Sequence, residues 1–200
     1  MNMQSRNIRP AGLTIAEFLA FAAKRPNGER WELIEGQPVL NPIPVTAHQL
    51  IVGNLNRRLL EAKERLGAAW LPLPGIGTIV PASRNSLPVP DILVMQNEPE
   101  DQFTHTTPDS LVLIEVLSRS NTKARRDWRR KVYASVPNCQ HYLTISTRKI
   151  EIRRYDRATD WAEQIIGPDQ RSVTLQALGV TLALADIYRH VRFGAKKRTR

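Results

Sequence analysis

The chain has 200 residues, of which 42% are hydrophobic and 24% charged, with 29 basic against 19 acidic side chains and a net charge of +10. That length and balance suit one globular domain with an ordinary core. A single cysteine, Cys139, excludes an intramolecular disulfide and a cysteine-based zinc site. Apolar runs such as LVLI at 111–114 fall far short of the ~18–20 residues a membrane span needs. No secretory leader is read at the N-terminus, so a reducing, cytoplasmic setting is expected.

The charge is concentrated. Lys123 to Lys131 carries six basic residues and one acid, and Lys196, Lys197, Arg198 and Arg200 end the chain. A nearly neutral body with one basic segment and a basic tail points to a local anionic partner, with nucleic acid the first expectation.

Residues 1–12 are polar and expected to be flexible. The domain is expected over 13–192, followed by a basic tail at 193–200. TIAE at 14–17 has the form of a capping box, and the helix it opens should stop before Pro26. RWELIEG at 30–36 and QPVLN at 37–41 read as a strand pair, ended by Pro42 and Pro44. TAHQ at 46–49 reads as a second capping box. Behind it His48, Ile51, Val52, Leu55 and Leu59 fall at helical spacing, which predicts an amphipathic helix over about 47–66.

The Pro- and Gly-broken stretch 69–81 suggests short strands. VPDILVM at 89–95 reads as a strand, and 96–110 as a polar loop. SLVLIEVLS at 110–118 should be a central strand. Thr122 can cap a third helix running to about 135, and 140–146 and 149–156 alternate as strands. WAEQIIG and SVTLQAL add strand-like pieces, and 185–191 closes with a short helix. This order predicts a single α/β domain with a mixed sheet flanked by helices. The strand–helix–strand unit at 110–146 should contain a parallel pair.

Two acids break the pattern. Glu115 sits inside an apolar strand whose two faces both look buried, so its carboxylate must be neutralised, paired or metal-bound. Asp91 opens the strand VPDILVM after Pro90. If those strands are neighbours, two carboxylates converge, an arrangement that suits Mg2+. A buried pair of Glu115 with an arginine of the next helix is the competing reading, in which Glu115→Gln would strongly destabilise the fold.

On that helix Arg125, Arg129 and Tyr133 share one face, with Arg126 and Arg130 on the neighbouring stripe. Asp127 and Lys131 have ion-pair spacing. His48 lies in the first turn of its helix, and either Glu32 or Glu35 can point inward. Trp128 and Trp161 read as packing. No G-x-S-x-G elbow or phosphate-cradling loop occurs, and GIG at 75–77 is followed by no helix. The four histidines have no zinc-protease spacing.

The order WELIEG, PxxxHQ, PDILV, SLVLIEVLSRSN and then a helix ending KVYA resembles the Uma-two family of bacterial restriction-endonuclease-like proteins, in the PD-(D/E)XK nuclease superfamily. The likeness spans about residues 14–191. It implies a restriction-endonuclease-like mixed sheet and Mg2+-dependent (or Mn2+-dependent) hydrolysis of DNA phosphodiester bonds. It further implies Asp91 and Glu115 as metal ligands, with Glu32 and His48 in support. Arg125, Arg126 and Arg130 would hold the nucleic-acid backbone.

The superfamily's lysine, two residues after the second acid, is Leu117 here. In this family it moves to the next helix, four residues before a tyrosine, which gives Arg129, with Lys131 as the alternative. Arginine stays protonated and cannot act as a base. A catalytically impaired nuclease fold that binds nucleic acid or supports an assembly is therefore the alternative to an endonuclease. A homodimer is expected by analogy only.

Overall fold

The computed structural model describes residues 12–99, 101–118 and 122–193. The expected flexible segment at 1–12 and tail at 193–200 therefore fall, apart from Gly12 and Phe193, outside the described residues.

Helix α1 (Ile15–Ala22) starts on the expected capping box: Thr14 Oγ1 accepts from the Glu17 amide at 3.2 Å, and the Thr14 amide donates to Glu17 Oε2 at 2.8 Å. Strands β1 (Arg30–Ile34) and β2 (Gln37–Asn41) form an antiparallel hairpin. Its two turn residues, Glu35 and Gly36, have φ of 48° and 79°, the handedness that matches the twist of a two-residue hairpin.

Helix α2 (Thr46–Leu66) buries Ile51, Leu55 and Leu59 completely. Here the sequence expectation needs correction, because TAHQ does not act as a capping box. The N-cap is the extended Val45, with no side-chain cap bond, and Thr46 is already helical. Pro44 and the extended Val45 bring the chain in one residue early, so the Val45 carbonyl receives the His48 and Gln49 amides.

Strands β3 (Leu71–Pro74), β4 (Gly77–Thr78) and β5 (Ile92–Met95) follow. Strand β6 (Thr106–Thr107) lies within the expected polar loop and pairs in parallel with β4. Then come β7 (Val112–Leu117), α3 (Lys123–Ala134), β8 (His141–Ser146), β9 (Ile152–Asp156), β10 (Glu163–Ile166), β11 (Ser172–Leu175), β12 (Val180–Ala183) and α4 (Leu184–Ile187). Thr122 caps α3 as expected, accepting the Arg125 amide.

The central sheet has the order β10-β9-β8-β7-β5-β3. Strands β7 and β8 are parallel, joined through α3, while the other neighbours are antiparallel. This is the mixed α/β sheet expected. Because side chains alternate along a strand, β7 feeds two cores. Val112, Ile114 and Val116 pack with α2 and α4, whereas Leu113 packs with Val132 and Tyr133 of α3. Trp128 and Trp161 pack against this second core. A third cluster, Phe18, Leu33 and Leu87, fixes the β1–β2 hairpin to α1. Among the described residues, no helix is long and apolar enough to cross a membrane.

The hairpin's seat depends on Gly36. A Cβ there would lie 2.6 Å from the Gly12 Cα, on a backbone whose positive φ disfavours side chains. Gly36→Ala should therefore destabilise the fold by about 1–3 kcal/mol, read as a lower urea midpoint with unchanged slope; an unchanged midpoint would mean that the hairpin is not held at this contact.

Candidate active site

The register of β5 against β7 builds the site. Ile92 faces Ile114 and Leu93 faces Leu113, so the next step along places Asp91 across from Glu115. Directly opposed residues share a face, and this face is the α3 side. Asp91 stands just before the first residue of β5. There its Oδ2 accepts the Val116 amide at 2.8 Å and His48 Nε2 at 3.1 Å, and its Oδ1 lies 3.5 Å from Arg30. Burial pushes the Asp91 carboxyl up, but the His48 contact, the Val116 amide and Arg30 outweigh it and hold the group below its ordinary range. Among the described residues His48 Nδ1 is buried without a partner, a position that a water could satisfy.

Glu115 belongs to a different network. Its Oε1 accepts from Arg129 Nη1 and from the Tyr133 hydroxyl at 2.8 Å, and Arg129 Nη1 also donates to that hydroxyl at 2.7 Å. Arg129 Nη2 spans both oxygens of Glu32, at 2.8 and 2.9 Å. Arg125 adds a third arm, donating to Glu32 Oε2 at 2.5 Å and to Asn41 at 3.2 Å. The Val89 amide completes the Glu32 shell at 3.1 Å.

Glu32, Glu115 and Arg129 are all buried, so two carboxylates share one buried guanidinium. Burial pushes Glu32 up, but Arg129, Arg125 and the Val89 amide hold it ionised, below its ordinary range. Glu115 has fewer compensating partners. Desolvation, together with the charges of Asp91 and Glu32, outweighs Arg129 and pushes it up to about 8. Its hydrogen bonds from Arg129 and Tyr133 both fall on Oε1.

These groups line one cleft of about 690 Å3, which takes in Glu32, His48, Asp91, Glu115, Arg125 and Arg129. Among the wall residues that the sequence did not mark are Arg30, Asn41 and Arg148. Arg30 lies two residues before Glu32 and so on the same face of β1, a spacing that could have revealed it. Asn41 closes β2, and Arg148 stands in the turn after β8, beyond the carboxyl end of the parallel pair.

Other expected residues lie elsewhere. Lys131 is exposed and does not line the cleft, because two residues along a helix are a rotation of ~200°. Of the two alternatives, the structure turns Arg129 inward. Arg126 and Arg130 are not among the lining residues either, and the Arg130 guanidinium lies over the Tyr155 ring at 5.6 Å. Asp127 pairs with Lys123 at 2.6 Å rather than with Lys131.

Comparison with known proteins places this geometry. The model of the Uma2 (Uma-two) family, described as "Putative restriction endonuclease", matches residues 15–185. The chain belongs to this family. Among solved structures it is similar to the crystal structure, at 1.96 Å, of "a putative nuclease belonging to DUF820" from Anabaena variabilis ATCC 29413. The TM-score is 0.71 at 17% identity, over 88% of this chain and 97% of that one. At that identity the likeness establishes the fold. No curated protein matches the chain.

Within this family fold the buried Glu115–arginine pair exists alongside the cleft. It does not leave Arg129 dependent on Glu115, because the bidentate contact to Glu32 remains, so the strong destabilisation expected of Glu115→Gln does not follow from the geometry.

Two outcomes test the network. Arg129→Ala strands buried carboxylates and should cost about 3–5 kcal/mol in urea unfolding. Burial and the neighbouring acids raise the Glu115 pKa to about 8 in the fold, against about 4.5 in the unfolded chain. The unfolded state thus binds fewer protons over that window, and stability should fall as pH rises from about 4.5 through about 8. Unfolding midpoints between pH 5 and 9 should show this decline, and Glu115→Gln should flatten it. An equally steep decline in the variant would assign the proton elsewhere.

Proposed function

We propose that this chain is a divalent-metal-dependent endonuclease that hydrolyses DNA phosphodiester bonds, with Asp91 and Glu115 as metal ligands. What supports the reading most is the convergence of these two acids at one cleft whose other walls carry Arg30, Arg125 and Arg148. Family membership supports it independently. A cytoplasmic location accords with a DNA substrate.

The donor set fits a hard cation. Two carboxylates on neighbouring strands suit Mg2+, which takes one or two carboxylates and keeps several waters; Mn2+ accepts the same oxygen ligands. Among the described residues, no cluster of three or more His, Cys, Asp or Glu side chains gathers that could hold an ion. A cation held by two carboxylates alone would keep most of its coordination positions for water and substrate oxygens. Bound there, the metal would lower the pKa of an attacking water and offset the charge of the scissile phosphate.

The protein's own groups have separable tasks. His48 and the Val116 amide hold the Asp91 carboxylate in one orientation. Arg30 and Arg125 are partly exposed, so they can turn from carboxylate to phosphate oxygens and hold the backbone in line. Arg129 is buried and stays protonated. It takes no proton from water but orients Glu115 and Glu32 and supplies a fixed positive charge beside the reacting phosphate. Hydrolysis adds a water oxygen to phosphorus and breaks one phosphorus–oxygen ester bond. The water's proton passes through solvent, and the leaving oxygen is protonated.

One observation favours a second reading. Arg129 already occupies an oxygen of Glu115, where a nuclease lysine would have left that acid to the metal, so the fold can serve as a nucleic-acid-binding or assembly module without cutting. Supercoiled plasmid incubated with Mg2+, Mn2+ or EDTA separates the two. The nuclease reading expects metal-dependent nicking that EDTA abolishes and that Asp91→Asn lowers at least about 100-fold, with the variant's melting temperature reported beside it. Retention of DNA in a gel shift with no nicking under any metal would select the binding module.

A further inference from the structure

The cleft has an apolar lip that neither the acids nor the arginines explain. Pro42, Ile43, Pro44 and Val45 connect β2 to α2 and line its mouth. Ile43 is 94% exposed and Val45 62%, so two branched apolar side chains stand in water beside a cationic wall. The prolines at 42 and 44 fix their backbone angles, and Pro44 restricts Ile43 as the residue before it. This lip is therefore preshaped and has little conformational freedom to lose on contact. Thr147 and Arg148, in the connection between β8 and β9, line the same cleft. Behind the lip, Asp91, Glu115 and Glu32 are all buried on the cleft floor.

We propose that the substrate carries unpaired nucleotides at the scissile phosphate, with Ile43 packing against an exposed base face while Arg30, Arg125 and Arg148 hold the backbone. The proposal rests on the reading of this cleft as a nucleic-acid site and narrows it to a substrate class. The grooves of an intact duplex show base edges and thymine methyl groups but no base faces, so an isoleucine reaches a base face there only by unstacking a step, at a cost of a few kcal/mol. The faces of paired bases are covered by their neighbours, whereas in a single strand, bulge or frayed end they are open. Single-strand sites combine a cationic groove with a surface that packs against base faces, ordinarily an aromatic ring; here the branched apolar Ile43 stands in that place. A volume of about 690 Å3 is within the range that encloses a small molecule, which suits a nucleotide or two entering toward the recessed acids.

Fluorescence anisotropy with three probes of one sequence tests this: a labelled single-stranded DNA, its blunt duplex, and the duplex with a three-nucleotide bulge. Binding is measured in EDTA, so that it does not depend on cleavage. The single strand and the bulge should bind at least about ten-fold more tightly than the duplex at equal salt. Ile43→Ser should weaken single-strand binding at least about five-fold and bring the ratio toward one, with an unchanged melting temperature. Phe103→Ser removes an equally exposed apolar side chain outside the cleft lining and should leave the ratio as it was.

Equal or tighter binding of intact duplex would overturn the proposal, as would an unaltered ratio in Ile43→Ser. A change of oligomeric state in that variant, seen by sedimentation, would overturn it too and make the lip a contact between copies of this chain. If the preference holds but no metal cleaves the bulge, the endonuclease reading fails while the substrate class stands.

Discussion

A single buried guanidinium ties together the elements that line the cleft of this protein. Arg129 joins β1 through Glu32, β7 through Glu115 and its own helix through Tyr133, partners up to 97 residues away in sequence. Burying an ion is costly unless geometry and hydrogen bonds compensate, and here the compensation comes in unequal shares. Glu32 takes a bidentate contact, a second arginine and a backbone amide, and stays charged. Glu115 takes what is left and is satisfied more readily by a proton or by an added cation. The asymmetry between two acids of the same chemistry is set by the number of donors that each can reach.

This arrangement depends on the order of the sheet. The antiparallel step from β5 to β7 brings Asp91 opposite Glu115, and the parallel step from β7 to β8 sends the chain through α3 on the way. The helix that makes this crossover is thus the one able to press an arginine onto the acid carried by the strand before it. The β1–β2 hairpin, seated through Gly36 and a small cluster around Phe18, delivers Glu32 from a part of the chain that is not in the main sheet at all.

An arginine at position 129 decides what the site can do. Lysine would be a point charge able to serve one acid and, if its pKa fell, to accept a proton. Arginine is a planar fork that serves two acids at once and remains charged. The site therefore has a rigid, fixed positive charge at this position and no proton acceptor there.

Much of this was legible in the amino-acid order. Hydrophobic spacing of Ile51, Leu55 and Leu59 marked α2, Thr14 and Glu17 marked the start of α1, and an acid inside LVLIEVL marked a buried charge in need of a partner. These are local signals, carried by residues a few positions apart. What stayed hidden required distances between residues far apart in the chain. Helical phase showed that Arg129 and Lys131 are alternatives, but only packing of α3 on the sheet chose which one faces inward. The capping role of Thr46 was lost because Pro44 and Val45 bring the chain in extended, which shifts the helix start by one residue. Arg148 and the Pro42–Val45 lip became parts of one cleft only when β8 was laid beside β7 and α2 was packed across the sheet. The sequence by itself determined the elements and the residues that could not be ordinary core, because those follow from spacing and burial cost. Tertiary structure alone decided which charge meets which, because a buried carboxylate's partner depends on distance in space.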